Sequence, residues 1–319
     1  MNVELLIEGN GRLFQPIVEE GITWSTERKG CPGELKFKVL KDDTLDFAEG
    51  DAVRLKVNDS EVFFGFVFKK QRDKDHNISV TAYDQMRYLK NKDTYKIEGE
   101  KASGFIKRIA DDFKLRTGEI EDTGYVIPSR IEKNTALIDM IQTALDLTLE
   151  NKKQMFVMYD DFGKITLKSL ESMKLDLLID EESGENFDYT SSIDSNTYNK
   201  IKLLEESEKN EIGKPYYAYD SNNMNQWGIL QYFDTLKEGE NGQAKSDALL
   251  DLYNKKTRNL SIKKAIGDTR VRAGSLIPVM LNLGDIEVGS YFLVEKCKHE
   301  FKDNQHFMDL TLRGGEFIV

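Results

Sequence analysis

Between Val53 and Ala82 apolar residues fall on every second position. Val53, Leu55 and Val57 alternate before a turn at Asn58-Asp59-Ser60, and Val62, Phe64, Phe66 and Phe68 alternate after it. Beyond a charged turn from Arg72 to Asn77, Ile78, Val80 and Ala82 repeat the pattern. A period of two belongs to strands, whose side chains point to opposite faces in turn. Upstream, VELLIEG, RLFQPIV and GELKFKVL are shorter strand candidates separated by glycines and charged turns. Residues 1 to about 89 therefore read as all-β, a small barrel or a sandwich.

The period then changes. In KASGFIKRIADDFKLRTG, Phe105, Ile106, Ile109 and Phe113 take helical spacing, with Ser103 as the expected N-cap and Gly118 as the stop. NTALIDMIQTALDLTLENKK repeats this with Leu137, Ile138, Ile141, Leu145 and Leu149. MFVMYDDFGKITLKSL reads as a hairpin turning at Asp160-Asp161-Phe162-Gly163, so residues from about 90 to 170 make an α/β module. A polar, acidic stretch leads to a strand at Lys200–Leu204. A helix is expected near Gln243–Lys256, with Ala244, Ala248, Leu249 and Leu252 on one side. The end returns to strands in RNLSIKKAIG, SLIPVMLNLG, SYFLVEK and HFMDLTLRG.

The last of these runs carry the densest chemistry. Cys297, His299 and His306 fall within ten positions, around a charged turn at Lys302-Asp303-Asn304-Gln305. Pairing Phe301 with His306 puts His299 opposite Met308, Cys297 opposite Leu310 and Glu295 opposite Leu312. The three soft donors then share a face with Met308 and Leu310. Zinc normally takes four ligands, or three and a water, and no Cys-x-x-Cys or His-x-x-x-His spacing supports these donors. A packed closing hairpin with a buried thiol is the preferred reading, and no metal or cofactor is expected.

The composition narrows the classes. The chain has 319 residues, 39% of them hydrophobic and 32% charged, enough for two or three domains. Its net charge of −11 disfavours a nucleic-acid grip, which needs a basic surface. Two cysteines far apart make no disulfide framework, so a reducing compartment is the expectation. No apolar run approaches the roughly 18 residues of a membrane span, and the opening residues show no secretion signal.

Several stretches together resemble one family, the baseplate hub proteins of contractile phage tails, defective prophages and tail-like bacteriocins, also called late control protein D-like. The main likeness is Val62–Tyr95, where a strand with a central Gly65 precedes Ala82-Tyr83-Asp84 and then Tyr88-Leu89. DYTSSIDSNTYNKIKLL resembles the entry to the family's second barrel. GDTRVRAGSLIPVML and the final hairpin, with His299 and His306, resemble its closing strands. The resemblance implies an α+β, mainly β fold, with two small β-barrel tube domains joined by an α/β module. The implied domains are 1–89, 90–187 and 188–319, the last with the helix near 243–256. It implies a homotrimeric pseudo-sixfold ring that adapts a sixfold tail tube to a threefold spike. The partners would be a tail tube protein, a spike protein and other baseplate proteins, in a virion or tail-like particle assembled in the bacterial cytoplasm. Neither a specific nucleic acid nor membrane insertion is implied. Any lytic or spike function would lie on another chain, and the alternative is a cell-wall glycosidase or carbohydrate-binding module of a phage-like particle.

Smaller signals read as structure. The acidic doublets Asp42-Asp43, Asp111-Asp112 and Asp160-Asp161 sit at turns or on a helix's polar face rather than as a hydrolytic pair. Asp84 reads as an N-cap for Gln85–Lys90. Phe63, Phe64, Phe66 and Val67 put bulk on both faces of one strand. Either that strand is buried on both sides within the chain, or Phe63 and Val67 meet a neighbouring subunit. With Leu276 and Val279 from Ser275–Leu283, these are the candidates for subunit contact, so Phe63→Asp is expected to break assembly more than folding. In the ring, barrels with acidic faces would line the opening and the α/β module would lie outside.

Overall fold

The computed structural model describes residues 1–75, 77–194, 196–205, 213–236, 241–282 and 287–314. Contacts divide the chain into two units, Met1–Asp188 together with Leu260–Val319, and Tyr189–Asn259. Within the first unit the amino- and carboxy-terminal β-regions pair with each other.

The first unit opens with β1 (Val3–Gly9), β2 (Arg12–Phe14), β3 (Val18–Glu27), β4 (Glu34–Leu40), β5 (Ala52–Val57), β6 (Ser60–Arg72) and β7 (Asn77–Tyr83). They join in the order β2-β1-β5-β6-β7-β4-β3, each pair antiparallel. The expected turn between β5 and β6 is present, with Asn58 and Asp59 at positive φ, as two-residue hairpins require. Just beyond it the register slips from Leu55↔Phe63 to Lys56↔Glu61. This bulge at Val62 puts Val62 and Phe63 in the core together. Gly65 follows on the same side as Phe63; a Cβ there would be driven into the Tyr83 carbonyl oxygen and the Phe63 ring, so the central glycine answers a close approach of β7. Strand β3 is absent from the pattern of alternating residues because Glu19 and Gly21, at φ +90°, interrupt it and shift its register on β4. It nevertheless contributes Ile22 and Trp24 to a core with Leu35, Phe37, Leu55 and Phe301.

The α/β module follows. A 3-10 helix (Gln85–Lys90) leads to β8 (Lys92–Ile97), β9 (Glu100–Lys101), α1 (Ala102–Asp112), β10 (Thr117–Ile120), β11 (Val126–Ile127), β12 (Arg130–Ala136), α2 (Leu137–Lys152), β13 (Phe156–Asp160) and β14 (Ile165–Ser169). Both helices follow the sequence pattern. Phe105, Ile106, Ile109, Leu137, Ile138, Ile141 and Leu145 are buried in one cluster with Ile165 and Leu167 of β14. Phe105 is fully buried, which stabilises the module by about 2–3 kcal/mol. The expected helix ends are corrected. Ser103 lies inside α1 and is buried against Thr123, with Lys101 at the N-cap, and α1 stops before Gly118, which belongs to β10.

Strands β15 (Asn186–Ser192) and, later, β19 (Thr257–Ile266) carry the chain between the units. The second unit holds β16 (Lys200–Glu205), β17 (Pro215–Tyr219), α3 (Ser221–Trp227), β18 (Gln231–Leu236) and α4 (Gly242–Tyr253). Its sheet order is β17-β16-β18, with β18 parallel to β16. Leu249 of α4 packs on Ile201, Leu203, Ala218 and Leu236. The buried side of α4 is Gly242, Ser246 and Leu249; Ala244, expected on it, is exposed.

Strands β20 (Leu276–Asn282), β21 (Glu287–Lys302) and β22 (Gln305–Arg313) complete the first unit. SYFLVEK and the Cys297–Lys302 run belong to one 16-residue strand. One edge of β21 pairs with β20 over its first half and with β3 over its second, and its other edge pairs with β22. Among the described residues the two β-regions therefore share a sheet and neither closes as a separate barrel. Leu283, the end of the expected strand Ser275–Leu283, lies outside the described residues.

Candidate functional site

The junction of β3, β21, β22 and the β13–β14 hairpin collects the polar and aromatic residues singled out above. The closing hairpin turns at Asp303-Asn304, both at positive φ, and pairs Phe301 with His306, His299 with Met308 and Cys297 with Leu310. The expected Glu295–Leu312 pair is corrected. The register runs from Val294↔Leu312 to Lys296↔Thr311, leaving Glu295 as the extra residue of a bulge. Its carboxylate accepts two hydrogen bonds from Arg28, at 2.8 and 2.9 Å. That bidentate pair draws Glu295 out of the ladder toward β3.

His299 is fully buried, with its Nε2 2.9 Å from the Val271 carbonyl oxygen and its Nδ1 2.9 Å from His306 Nε2. A carbonyl only accepts, so Nε2 carries the proton, and Nδ1 accepts from His306 Nε2–H. The Cys297 sulfur lies 3.1 Å from His299 Nε2. Burial, then the neighbouring His306, lower the His299 pKa to about 3, while burial lowers that of His306 to about 4. Burial pushes the Cys297 thiol well up. These groups form a hydrogen-bonded relay with the His299 lone pair already used, not an open coordination sphere. Among the described residues no group of three or more His, Cys, Asp or Glu side chains is arranged to hold a metal ion.

Trp24 stacks on His299 at 4.7 Å, and the Arg272 guanidinium lies 5.6 Å from the Trp24 ring and 4.1 Å from that of Tyr159. Arg272 also donates to the Asp160 carbonyl at 2.8 Å. The arginine is thus held between an aromatic ring from each side of the junction. Beside it, Asp84 is buried and caps the 3-10 helix as expected. It accepts from Met86 N–H at 3.0 Å and from Gly33 N–H at 2.7 Å. A Cβ on Gly33 would collide with that carboxylate. Burial, then the proximity of Asp160, raise the Asp84 pKa well above the usual carboxylate range. Burial likewise raises Asp160 to about 6, against the Gly163 N–H that donates to its Oδ1 at 2.6 Å. Its Oδ2 has no hydrogen-bond partner among the described residues.

Each acidic doublet has a structural task. Asp42 accepts from Thr44 and Leu45 in a turn, Asp112 accepts from the Tyr95 hydroxyl at 2.7 Å, and Asp160 belongs to the cluster just described. The six candidates for subunit contact divide. Phe63, Val67, Leu276 and Val279 are at most 3% exposed and are covered by the chain's own residues. Their apolar character is accounted for by the chain's own packing. Phe64 and Phe66 lie on the opposite face of β6, partly covered by Phe162 and Tyr88 respectively. Sequence reasoning missed Arg272, Trp24 and Tyr159. They sit apart in the chain, and no local pattern links them.

This arrangement of sheets and module is the fold of prophage tail proteins. The chain matches the 43 kDa tail protein of prophage MuSo2 from Shewanella oneidensis with a TM-score of 0.73 and 11% identity, over 97% of this chain and 98% of that one. It matches the Escherichia coli c3393 protein, a type VI secretion component described as similar in structure to the T4 tail proteins gp27 and gp5. That TM-score is 0.60 at 9% identity, over 98% and 78% of the two chains. By sequence, residues 22–313 match the YQBQ-like family, to which the chain belongs. It is 31% identical to YqbQ of Bacillus subtilis strain 168, over 93% of this chain and 92% of that protein. It is 30% identical to the phage-like element PBSX protein XkdQ of the same strain, over the same shares.

Proposed function

We propose that the protein is a structural baseplate hub of a phage tail or phage-tail-like particle. The observation that carries this is that the tail-protein fold spans 97% of the chain. In this reading three copies form a pseudo-sixfold ring that seats a sixfold tail tube on one side and a threefold spike on the other. The work of such a part is shape and attachment. The carboxylate doublets and the His–Cys relay are engaged in the fold, which supports a role without catalysis over the glycosidase alternative. Because Phe63, Val67, Leu276 and Val279 are internal, the ring's contacts fall on apolar side chains left exposed. Candidates among them are Leu13 on the edge strand β2 with Ile17 just beyond it, and Met280 on β20 with Leu178 beside that strand. The particle is assembled in the bacterial cytoplasm, and the partners are the tube, spike and other baseplate proteins.

Light scattering on the purified protein, alone and mixed with tube and spike proteins of the same particle, tests this. A mass of three copies is expected in at least the mixed sample. A monomer in every mixture, or absence of the chain from purified particles, overturns the reading.

A further inference from the structure

The second unit carries a surface that neither the fold nor the hub reading accounts for. Strand register sets nine side chains of its sheet in three rows, on the face opposite α4. Tyr219, Lys200 and Gln231 form the first row; Tyr217, Lys202 and Phe233 the second; Pro215, Leu204 and Thr235 the third. Tyr217, Tyr219 and Phe233 are 41–60% exposed. The Lys202 ammonium lies 5.9 Å from both the Tyr217 and Phe233 rings, and that of Lys200 lies 5.9 Å from Tyr217. The carboxylates of these strands take the other face: Glu205 accepts from the Tyr216 hydroxyl and Asp234 from that of Tyr232. A chain of net charge −11 thus presents a platform whose only formal charges, among the described residues of its three strands, are two lysines between aromatic rings.

We infer that this platform binds an extended, acidic, aromatic-bearing polypeptide segment of a partner protein. Lys200 and Lys202 are two residues apart on one strand, about 7 Å, which is the spacing of carboxylates at alternate positions of an extended chain. The flanking rings offer flat apolar area to a partner's aromatic side chain, as at protein–protein contacts. Charge complementarity selects the partner: an acidic segment gains from the only carboxylate-free face of this sheet. A nucleic acid would bring a phosphate at every nucleotide against two ammonium groups and a strongly acidic chain. Exposed rings held by cation–π contacts are preorganised, so little ordering is lost on binding.

The inference does not depend on the hub reading, since a monomer would bind equally. The test uses a fluorescent random Glu–Tyr copolymer, with polyglutamate and a single-stranded thymidine oligonucleotide as comparisons, titrated with the full-length protein by fluorescence anisotropy. The copolymer is expected to bind more tightly than either comparison and to weaken as salt rises. Lys202→Glu, and separately Tyr217→Ser with Phe233→Ser, should each weaken it by about tenfold or more. Lys107→Glu on α1, the same charge change elsewhere, should leave it within about twofold. Lys202→Gln, with thermal melts of every variant, separates lost binding from lost folding. Absence of copolymer binding, binding unmoved by the platform variants, or tighter binding of the oligonucleotide overturns the inference.

Discussion

The guanidinium of Arg272 stands 4.1 Å from the ring of Tyr159, and so ties the turn before β20 to the α/β module. The same group donates to the Asp160 carbonyl at 2.8 Å and lies over Trp24 of β3. One side chain therefore links its own turn to two segments far apart in sequence, β13 and β3. Arg272→Ala is expected to cost about 2–3 kcal/mol of stability, from one charge-assisted hydrogen bond and two ring contacts. Arg272→Lys should recover less than half of that, because an ammonium cannot stack as a plane. Urea unfolding of both variants checks the order; equal stability of wild type and Arg272→Ala would refute it.

Phe63→Asp should abolish folding, not only assembly. Phe63 is 3% exposed in the first core, and a buried carboxylate there is expected to cost more than about 4 kcal/mol. Soluble yield and circular dichroism decide this: a folded, soluble Phe63→Asp monomer would restore the interface assignment that the strand pattern first invited.

The stability of the junction should depend on pH through its carboxylates. Asp160, raised to about 6 from an ordinary value near 4, binds its proton more tightly in the folded than in the unfolded chain. Its unfavourable contribution is absent below about pH 4, grows as pH rises through 6 and is complete above that. Asp84 acts in the same direction. Asp160→Asn, which keeps an acceptor for Gly163, should therefore gain on wild type between about pH 4 and 7, by 2–3 kcal/mol at most. Parallel melting curves across that range would contradict this.

The histidines act with the opposite sign. Both are held neutral when folded, so their contribution is lost as pH falls below about 6.5, where the unfolded chain takes up protons first. Proton NMR of the ring signals checks the premise. Neither His299 nor His306 should titrate between about pH 5 and 8.

Local signals were legible wherever neighbouring residues decide the structure. The Val53–Ala82 alternation, the apolar stripes of α1 and α2, the Asp84 cap and the hairpin register from Phe301 to Cys297 all follow from side-chain period and turn chemistry. What failed depended on distant partners. Glu295 leaves the ladder because Arg28 holds it, β3 is a strand in spite of Glu19 and Gly21, and Phe63 faces inward because Val62 bulges. The sharing of β21 between β20 and β3 is a matter of topology, and no stretch of sequence contains it. The strand pattern located the bulky residues of β6 correctly but could not distinguish a face covered by the chain itself from one covered by a neighbour.

Strand β21 also has a mechanical consequence. Because β20 and β3 follow one another along a single edge, and β22 pairs with the other edge from Leu293 onward, tension applied at one end of β21 reaches the first β-region as shear across many parallel hydrogen bonds. Bonds loaded in shear must fail together, whereas bonds loaded in peeling fail one at a time. A thrust delivered along this strand would cross the molecule as through a splice joint, with the Arg28–Glu295 pair pinned where the two overlaps meet.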